Sequence, residues 1–205
     1  MKIAVFGGTG RVGKKIVEKA LKDGHEVRAL VRKPPQHEWF ERAEIVQGNS
    51  KVEQDVRETI KGCDVVFSGL STDKTDTLSV SIPLIIQAMK DEGLSRILTI
   101  GTAGILNSRQ NKEKFRFQTD ESKRKLTFAA EEHADVYQSL LSSGLDWTII
   151  CPTYLPDGEE EGNIRYEKDL LPEGGKKITV GDTAAFAYKE LFDQQFLECR
   201  VGVCY

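Results

Sequence analysis

Three glycines near the start of the chain have a spacing that suits binding of a diphosphate. Gly7, Gly10 and Gly13 follow the pattern G-x-x-G-x-x-G after a short apolar run. Glycine has no β-carbon, so it permits a tight turn and lets backbone N–H groups approach a pyrophosphate. A helix that begins here adds unpaired N–H donors and the positive end of its dipole. We predict a dinucleotide site formed by Gly7, Thr9, Gly10, Arg11, Val12 and Gly13. The alternative is a glycine turn that binds no ligand.

Two basic residues stand where a site for NAD usually has an acidic one. An Asp or Glu at the end of the second strand, about 20 residues past the glycines, binds the ribose hydroxyls of NAD. Arg32 and Lys33 occupy this place. A guanidinium binds a 2′-phosphate with paired hydrogen bonds, whereas a carboxylate would repel it. The sequence therefore predicts NADP(H), with Arg32 as the main contact and Arg11 as a second candidate. The alternative is that Arg32 and Lys33 are solvated loop charges.

Other candidate cofactor residues follow the later predicted strands. Ligands of open α/β sheets bind at the carboxyl ends of the strands, so residues just after each strand are the ones expected to meet the cofactor. Small residues at 101–104 would let a nicotinamide ring approach the backbone. We predict further cofactor contacts after strands three to six, at Asn49, Leu70, Ser71, Thr102, Pro152, Thr153 and Tyr154.

Strands alternating with helices would position these residues. Short apolar runs predict strands at 2–6, 25–31, 43–46, 64–68, 96–100, 146–150, 177–180 and 201–204. Helical spacing of apolar residues predicts helices at 14–22, 52–60, 75–89, 126–143 and 183–192, the last with Asp182 as its N-cap, and a short helical turn at 37–42. This alternation predicts an α/β fold: a Rossmann-type doubly wound, mostly parallel sheet with helices on both faces. One domain spans 1–205.

Two polar stretches interrupt the alternation. Residues 107–125 are almost all polar and predict a surface loop or lid beside the site, with disorder as the alternative. Residues 156–176 are rich in Glu, Gly and Pro and predict an excursion over the cleft. We expect this C-terminal excursion, about 153–180, to lie on the substrate side.

Composition narrows the class of protein. The 205 residues carry a formal net charge of −3, which gives no reason to expect a nucleic-acid partner. No apolar run has the length of a membrane helix, and residues 1–20 predict a strand and a helix rather than a signal peptide. The four cysteines have neither a C-x-x-C spacing nor a nearby histidine cluster, which predicts reduced thiols and no metal site. We expect a cytoplasmic monomer or small homo-oligomer.

These residues resemble the atypical short-chain dehydrogenase/reductase group. The resemblance rests on the glycine run, on Arg32, and on Ser-Gly-Leu-Asp-Trp-Thr-Ile at 143–149 leading into Cys151-Pro152-Thr153. Within that group the chain is most similar to the NAD(P)H-binding family around biliverdin IXβ reductase/flavin reductase and the NmrA-like proteins. The resemblance implies an NADP-binding Rossmann fold and, often, reduction of flavins, quinones or tetrapyrroles.

The chain departs from that group at its catalytic positions. Ordinary short-chain dehydrogenases use Tyr-x-x-x-Lys, in which the ammonium lowers the pKa of the tyrosine, but no tyrosine here has a lysine four positions on. The serine of the biliverdin/flavin reductases corresponds to Ala103, and their two histidines correspond to Tyr137 and Tyr154. We predict Thr102 and Tyr137 as catalytic residues, with core packing as the alternative for Tyr137. His133 lies one helical turn from Tyr137, with a surface or capping role as its alternative.

The sequence thus predicts an NADPH-dependent reductase that delivers hydride to a flat, conjugated small-molecule acceptor such as a flavin or quinone. Such acceptors take hydride at an electron-poor ring atom, so the protein supplies orientation more than a tuned acid. The alternative is a non-catalytic NADP(H)-binding redox sensor of the NmrA-like type. Epimerase or dehydratase action on a nucleotide sugar is a weaker third possibility, because it usually needs Tyr-x-x-x-Lys and a larger C-terminal region.

Overall fold

The computed structural model describes residues 1–33, 41–122 and 126–205. These residues form, in chain order, β1 (Lys2–Phe6), α1 (Arg11–Lys22), β2 (Glu26–Val31), β3 (Glu44–Gln47), α2 (Glu53–Ile60), β4 (Val65–Ser68), α3 (Thr77–Asp91), β5 (Arg96–Ile100), α4 (Phe128–Leu141), β6 (Asp146–Pro152), β7 (Arg165–Lys168), α5 (Val180–Asp193) and β8 (Cys199–Cys204). Of the helical turn predicted at 37–42, residues 37–40 lie outside the described residues, as do residues 123–125 of the predicted lid.

Within the described residues, the strands form one sheet in the order β3-β2-β1-β4-β5-β6-β8-β7. Neighbouring strands are parallel except for β7, which runs antiparallel to β8 at the edge. The first six strands have the order 3-2-1-4-5-6 of a doubly wound dinucleotide-binding sheet. The predicted Rossmann-type α/β fold is confirmed.

The sheet is covered on both faces because its strands are apolar on both sides. In β1, Ala4 and Phe6 pack with α2, α3 and α4, whereas Ile3 and Val5 pack with α1 and α5. All four of these residues are fully buried. Such continuous apolar runs are typical of parallel strands between two helix layers. This burial fixes β1 at the centre of the sheet and brings the glycine turn that follows it to the carboxyl edge.

Two predictions near the C-terminus are wrong: the strand at 177–180 and the N-cap of α5. The strand predicted at 177–180 is absent from the described residues, where Lys177 makes only a single bridge to Tyr154. The edge strand is instead β7, whose residues are mostly exposed and therefore carry no apolar pattern. The N-cap of α5 is Thr179, whose Oγ1 accepts the N–H of Asp182, so Asp182 lies in the first turn rather than at the cap.

The described part of the predicted lid, residues 107–122, has defined contacts. It contains a bridge between Asn107 and Phe115 and a short 3-10 turn at Arg116–Gln118. Glu121 accepts hydrogen bonds from the Ser108 hydroxyl and from a backbone N–H, which closes the segment on itself. These contacts favour the loop prediction over disorder for this part of the segment.

The four cysteine thiols share a buried environment. All four cysteines are free and buried, and burial raises the pKa of Cys151 to about 12. Among the described residues, none of the helices has the length and apolar character that crossing a bilayer requires.

Candidate functional site

A cavity of about 870 Å³ opens at the carboxyl edge of the sheet, beside the glycine turn. Its walls come from segments that lie far apart in the sequence: the turn after β1, the ends of β2, β3, β4 and β5, the first half of α4, and the residues after β6. Among the predicted cofactor residues, those that line the cavity are Gly7, Thr9, Gly10, Arg11, Val12, Arg32, Asn49, Leu70 and Ser71.

The glycine turn forms a cradle of bare backbone. Gly7 has φ of +77°, and a β-carbon on it would lie 2.5 Å from the carbonyl carbon and oxygen of Gly69. A β-carbon on Gly13 would lie 2.1 Å from the carbonyl oxygen of Gly7, so Gly13 packs behind the turn and not in the cavity wall. Gly10 is the N-cap of α1 and has no side chain to cover the first N–H groups of the helix. These features fit a diphosphate group.

The helix α1 begins inside the glycine run, three residues earlier than the periodicity predicts. The carbonyl of Gly10 accepts the N–H of Lys14 at 2.9 Å, which makes Arg11 the first helical residue. The unpaired N–H groups of the first turn therefore lie directly at the cavity rather than beyond it. An anion in the cradle would meet both these donors and the positive end of the helix dipole.

The basic side chain after β2 meets an acidic one across the cavity. Arg32 Nη1 lies 2.9 Å from Asp73 Oδ2, and both residues line the cavity. Ser71 donates its hydroxyl to the other oxygen of Asp73 at 2.8 Å. Asn49 also lines this end, where its Oδ1 accepts the backbone N–H of Lys51 at 3.0 Å. The adenosine side of the predicted site thus holds a guanidinium that already has a carboxylate partner.

Arg11 lies against the C-terminal excursion. Its Nη1 donates to the carbonyl of Leu155 at 2.8 Å and to Asp157 Oδ1 at 3.1 Å. Two further ion pairs join α1 to the same segment, Lys15 with Glu159 and Lys19 with Glu160. Arg32, and not Arg11, is therefore the guanidinium paired with the loop after β4.

The other end of the cavity is lined by small and apolar residues and by the imidazole of His133. Ile100 and Gly101 line this end from the end of β5, and Leu155 lines the cavity from the segment after β6. Ala129 and His133 face it from α4, where they lie one helical turn apart. The sequence predicts Tyr137 as the catalytic residue of this helix, whereas the structure places His133 in the cavity wall. Ala129 and His133 share one helix face, and this spacing is the sequence signal for that placement.

The two predicted catalytic residues, Thr102 and Tyr137, lie close to this end, but their side chains make structural contacts. The ring of Tyr137 packs edge-on against Trp147 at 5.7 Å, and the guanidinium of Arg200 covers it at 4.2 Å. Tyr137 is absent from the cavity wall within the described residues. Thr102 is buried next to Gly101, and its Oγ1 accepts the N–H of Gly104 at 3.3 Å. Their catalytic roles stay predictions.

The residues after β6 divide into three environments. Pro152 is buried at the end of the strand, and Tyr154 is 72% exposed. Between them, the buried Oγ1 of Thr153 has no hydrogen-bond partner among the residues that the structure describes. Thr153 is not among the described residues that line the cavity, so its role as a cofactor contact stays a prediction.

The fold and the cradle define the class of a Rossmann-type NAD(P)-binding protein. Residues 7–194 match the model of the NAD(P)H-binding family, and the chain belongs to that family. This membership confirms the resemblance to atypical short-chain dehydrogenases/reductases and supports a nicotinamide cofactor.

Individual relatives agree with this assignment. The uncharacterized protein YwnB of Bacillus subtilis is 27% identical over 199 residues, which cover 93% of this chain and 92% of YwnB. A solved structure called a putative NADH-flavin reductase, from Streptococcus pneumoniae, is 28% identical with a TM-score of 0.84 and covers 100% and 99% of the two chains. A putative epimerase from Bacteroides thetaiotaomicron is 26% identical with a TM-score of 0.83, covering 100% and 96%.

Proposed function

We propose that the protein is an NADPH-dependent reductase that transfers hydride to a flat, conjugated acceptor such as a flavin or quinone. The observation that carries this proposal is that one cavity joins the glycine cradle to an end lined by Gly101, Ala129, His133 and Leu155. Small and apolar residues at that end leave room for flat rings to lie against each other. The bound nicotinamide supplies the hydride, and the chain supplies binding and orientation.

The preference for NADPH rests on Arg32. It follows β2 at the place where sites for NAD carry an acidic residue. Its guanidinium lies in the cavity wall and can bind a 2′-phosphate with paired hydrogen bonds. The main chain of the glycine cradle would hold the diphosphate.

His133 is the group that we propose to face the acceptor. Its imidazole can donate a hydrogen bond to a ring nitrogen or carbonyl oxygen of the acceptor, where negative charge grows as hydride arrives. Thr102 and Tyr137 remain candidates for the same role from the neighbouring wall. Among the relatives, the flavin reductase name of the Streptococcus pneumoniae protein supports a flavin as the first acceptor to try.

The test is oxidation of NADPH by the purified protein with FMN, riboflavin and a soluble quinone as separate acceptors. We expect turnover with at least one acceptor, and a lower KM for NADPH than for NADH. Calorimetry of NADPH binding without acceptor is run in parallel. Tight binding without turnover on any acceptor would overturn the reductase proposal and favour a non-catalytic redox sensor. Absence of binding would overturn both.

A further inference from the structure

The ion pair between Arg32 and Asp73 spans the cavity from one side to the other. Arg32 follows β2, and Asp73 lies in the loop after β4; these two strands flank β1, whose glycine turn forms the cradle. The pair therefore bridges the carboxyl edge of the sheet at the adenosine side of the cavity. A 2′-phosphate that reaches Arg32 therefore competes with the Asp73 carboxylate for the same guanidinium.

The carboxylate is held in position by its own loop. Ser71 donates to Asp73 Oδ1, and Thr75 donates its N–H to the carbonyl of Thr72 at 2.7 Å, which closes a turn around Asp73. Asp73 and Lys74 both have left-handed backbone conformations, with φ of 48° and 59°. Two consecutive non-glycine residues in this region are uncommon, so the turn is held by its contacts. These contacts hold the Asp73 carboxylate beside Arg32.

The pair matters more for ligand choice than for stability. The Arg32 side chain is 73% exposed and that of Asp73 is 37% exposed. Exposed ion pairs add little to the stability of a fold. The effect of the pair on the binding of a doubly charged phosphate is larger, because Arg32 attracts the phosphate while the fixed carboxylate of Asp73 repels it. A cofactor with a 2′-hydroxyl carries no such charge and is not repelled.

We propose that Asp73 is a specificity-determining residue that opposes the 2′-phosphate by occupying Arg32, and so narrows the preference of this site for NADPH over NADH. This inference rests on the proposed function only in that it requires a nicotinamide dinucleotide in the cavity. It does not require that the protein catalyses a reduction. With Arg32 alone, the preference for NADPH over NADH would be stronger; Asp73 reduces it.

The experiment compares affinities of the full-length protein for four probes: NADPH, NADH, 2′,5′-ADP and 5′-AMP. Asp73→Asn removes the charge, and asparagine tolerates the left-handed backbone of this position. We expect this variant to bind NADPH and 2′,5′-ADP about 5- to 30-fold more tightly at low salt, with NADH and 5′-AMP changed by less than about twofold.

Two controls separate this effect from general changes of charge. Asp193→Asn makes the same change in net charge at the end of α5, where the carboxylate pairs with Lys189; it should leave all four affinities unchanged. In an Arg32→Ala background, Asp73→Asn should tighten NADPH by less than about threefold, because the residue acts through Arg32. Thermal denaturation of each variant verifies the fold.

The outcomes are distinct. Equal tightening of both cofactors, no tightening of either, or an undiminished effect in the Arg32→Ala background would overturn the proposal. Weaker binding of NADH alone in Asp73→Asn would also overturn it, and would make Asp73 a ligand of the ribose hydroxyls. Failure of the wild-type protein to bind any of the four probes would instead refute the dinucleotide site itself. Absence of turnover refutes only the reductase proposal.

Discussion

Gly13 packs against Gly7 so closely that a β-carbon on Gly13 would lie 2.1 Å from the carbonyl oxygen of Gly7. That oxygen also accepts the N–H of Gly10 at 3.0 Å. The contact holds the first turn of α1 directly on the end of β1. It is the close approach of helix and strand that aims the free N–H groups of the helix into the cavity.

Gly13→Ala should therefore disrupt both the fold and the site. Because the β-carbon would meet rigid backbone, we expect the free energy of unfolding to fall by about 1–3 kcal/mol and NADPH binding to weaken at least about tenfold. The matched control is Gly10→Ala, whose β-carbon would lie 3.2 Å from the same oxygen at a φ of −75°, which alanine adopts readily. Urea denaturation measures the difference. Equal losses of stability in the two variants would contradict the packing argument.

Arg11 and Arg32 should have different effects on cofactor choice. Arg11 is held by the Leu155 carbonyl and Asp157, whereas Arg32 pairs with Asp73 on the other side of the glycine turn. We expect Arg32→Ala to lower the ratio of NADPH to NADH affinity at least about fivefold. Arg11→Ala should leave that ratio unchanged even if both affinities fall. Calorimetry with both cofactors gives the ratio, and a loss of selectivity in Arg11→Ala would assign the 2′-phosphate to Arg11.

His133 and Tyr137 can be separated by their side-chain chemistry. His133 lines the cavity, whereas Tyr137 packs between Trp147 and the guanidinium of Arg200. With the best acceptor, we expect His133→Ala to lower kcat/KM at least about tenfold. Tyr137→Phe keeps the ring and should retain activity within about twofold. Steady-state kinetics provide the comparison. A larger loss in Tyr137→Phe than in His133→Ala would return the catalytic assignment to Tyr137.

Asp182 should give the protein an acid-sensitive component of stability. Burial alone would raise the pKa of this carboxyl, but hydrogen bonds from the Tyr205 hydroxyl and from the N–H groups of Glu161 and Gly162 together lower it. The folded-state pKa is thus below the unfolded-state value of about 4. The carboxylate therefore stabilises the fold above that value, and the contribution is lost as the pH falls through the folded-state pKa.

Asp182→Asn should accordingly lower the free energy of unfolding at pH 7 by about 1–3 kcal/mol. The difference between variant and wild type should shrink as the pH is lowered below about 4. Asp193→Asn is the control, since its exposed pair with Lys189 at 3.8 Å contributes little. Urea denaturation at several pH values measures this, and a difference that is independent of pH would contradict the assignment to ionised Asp182.

The sequence predicted most of the fold because the relevant signals are local. The apolar runs of β1 and β5 predict buried strands, and the structure places both with the predicted bounds. The prediction from the sequence missed β7, where Tyr166 and its neighbours are mostly exposed and pair with β8. An exposed edge strand has no hydrophobic pattern, so its pairing depends on a partner strand elsewhere in the chain.

The sequence by itself determined the glycine cradle, because the absence of a β-carbon at Gly7 and Gly13 is a property of those residues wherever the chain goes. It also determined that a guanidinium follows β2. Only the tertiary structure decided that Arg32 meets Asp73 and that His133 faces the cavity. These contacts join side chains from different strands and helices, and they exist because the order of strands in the sheet and the packing of α4 bring distant segments to one edge.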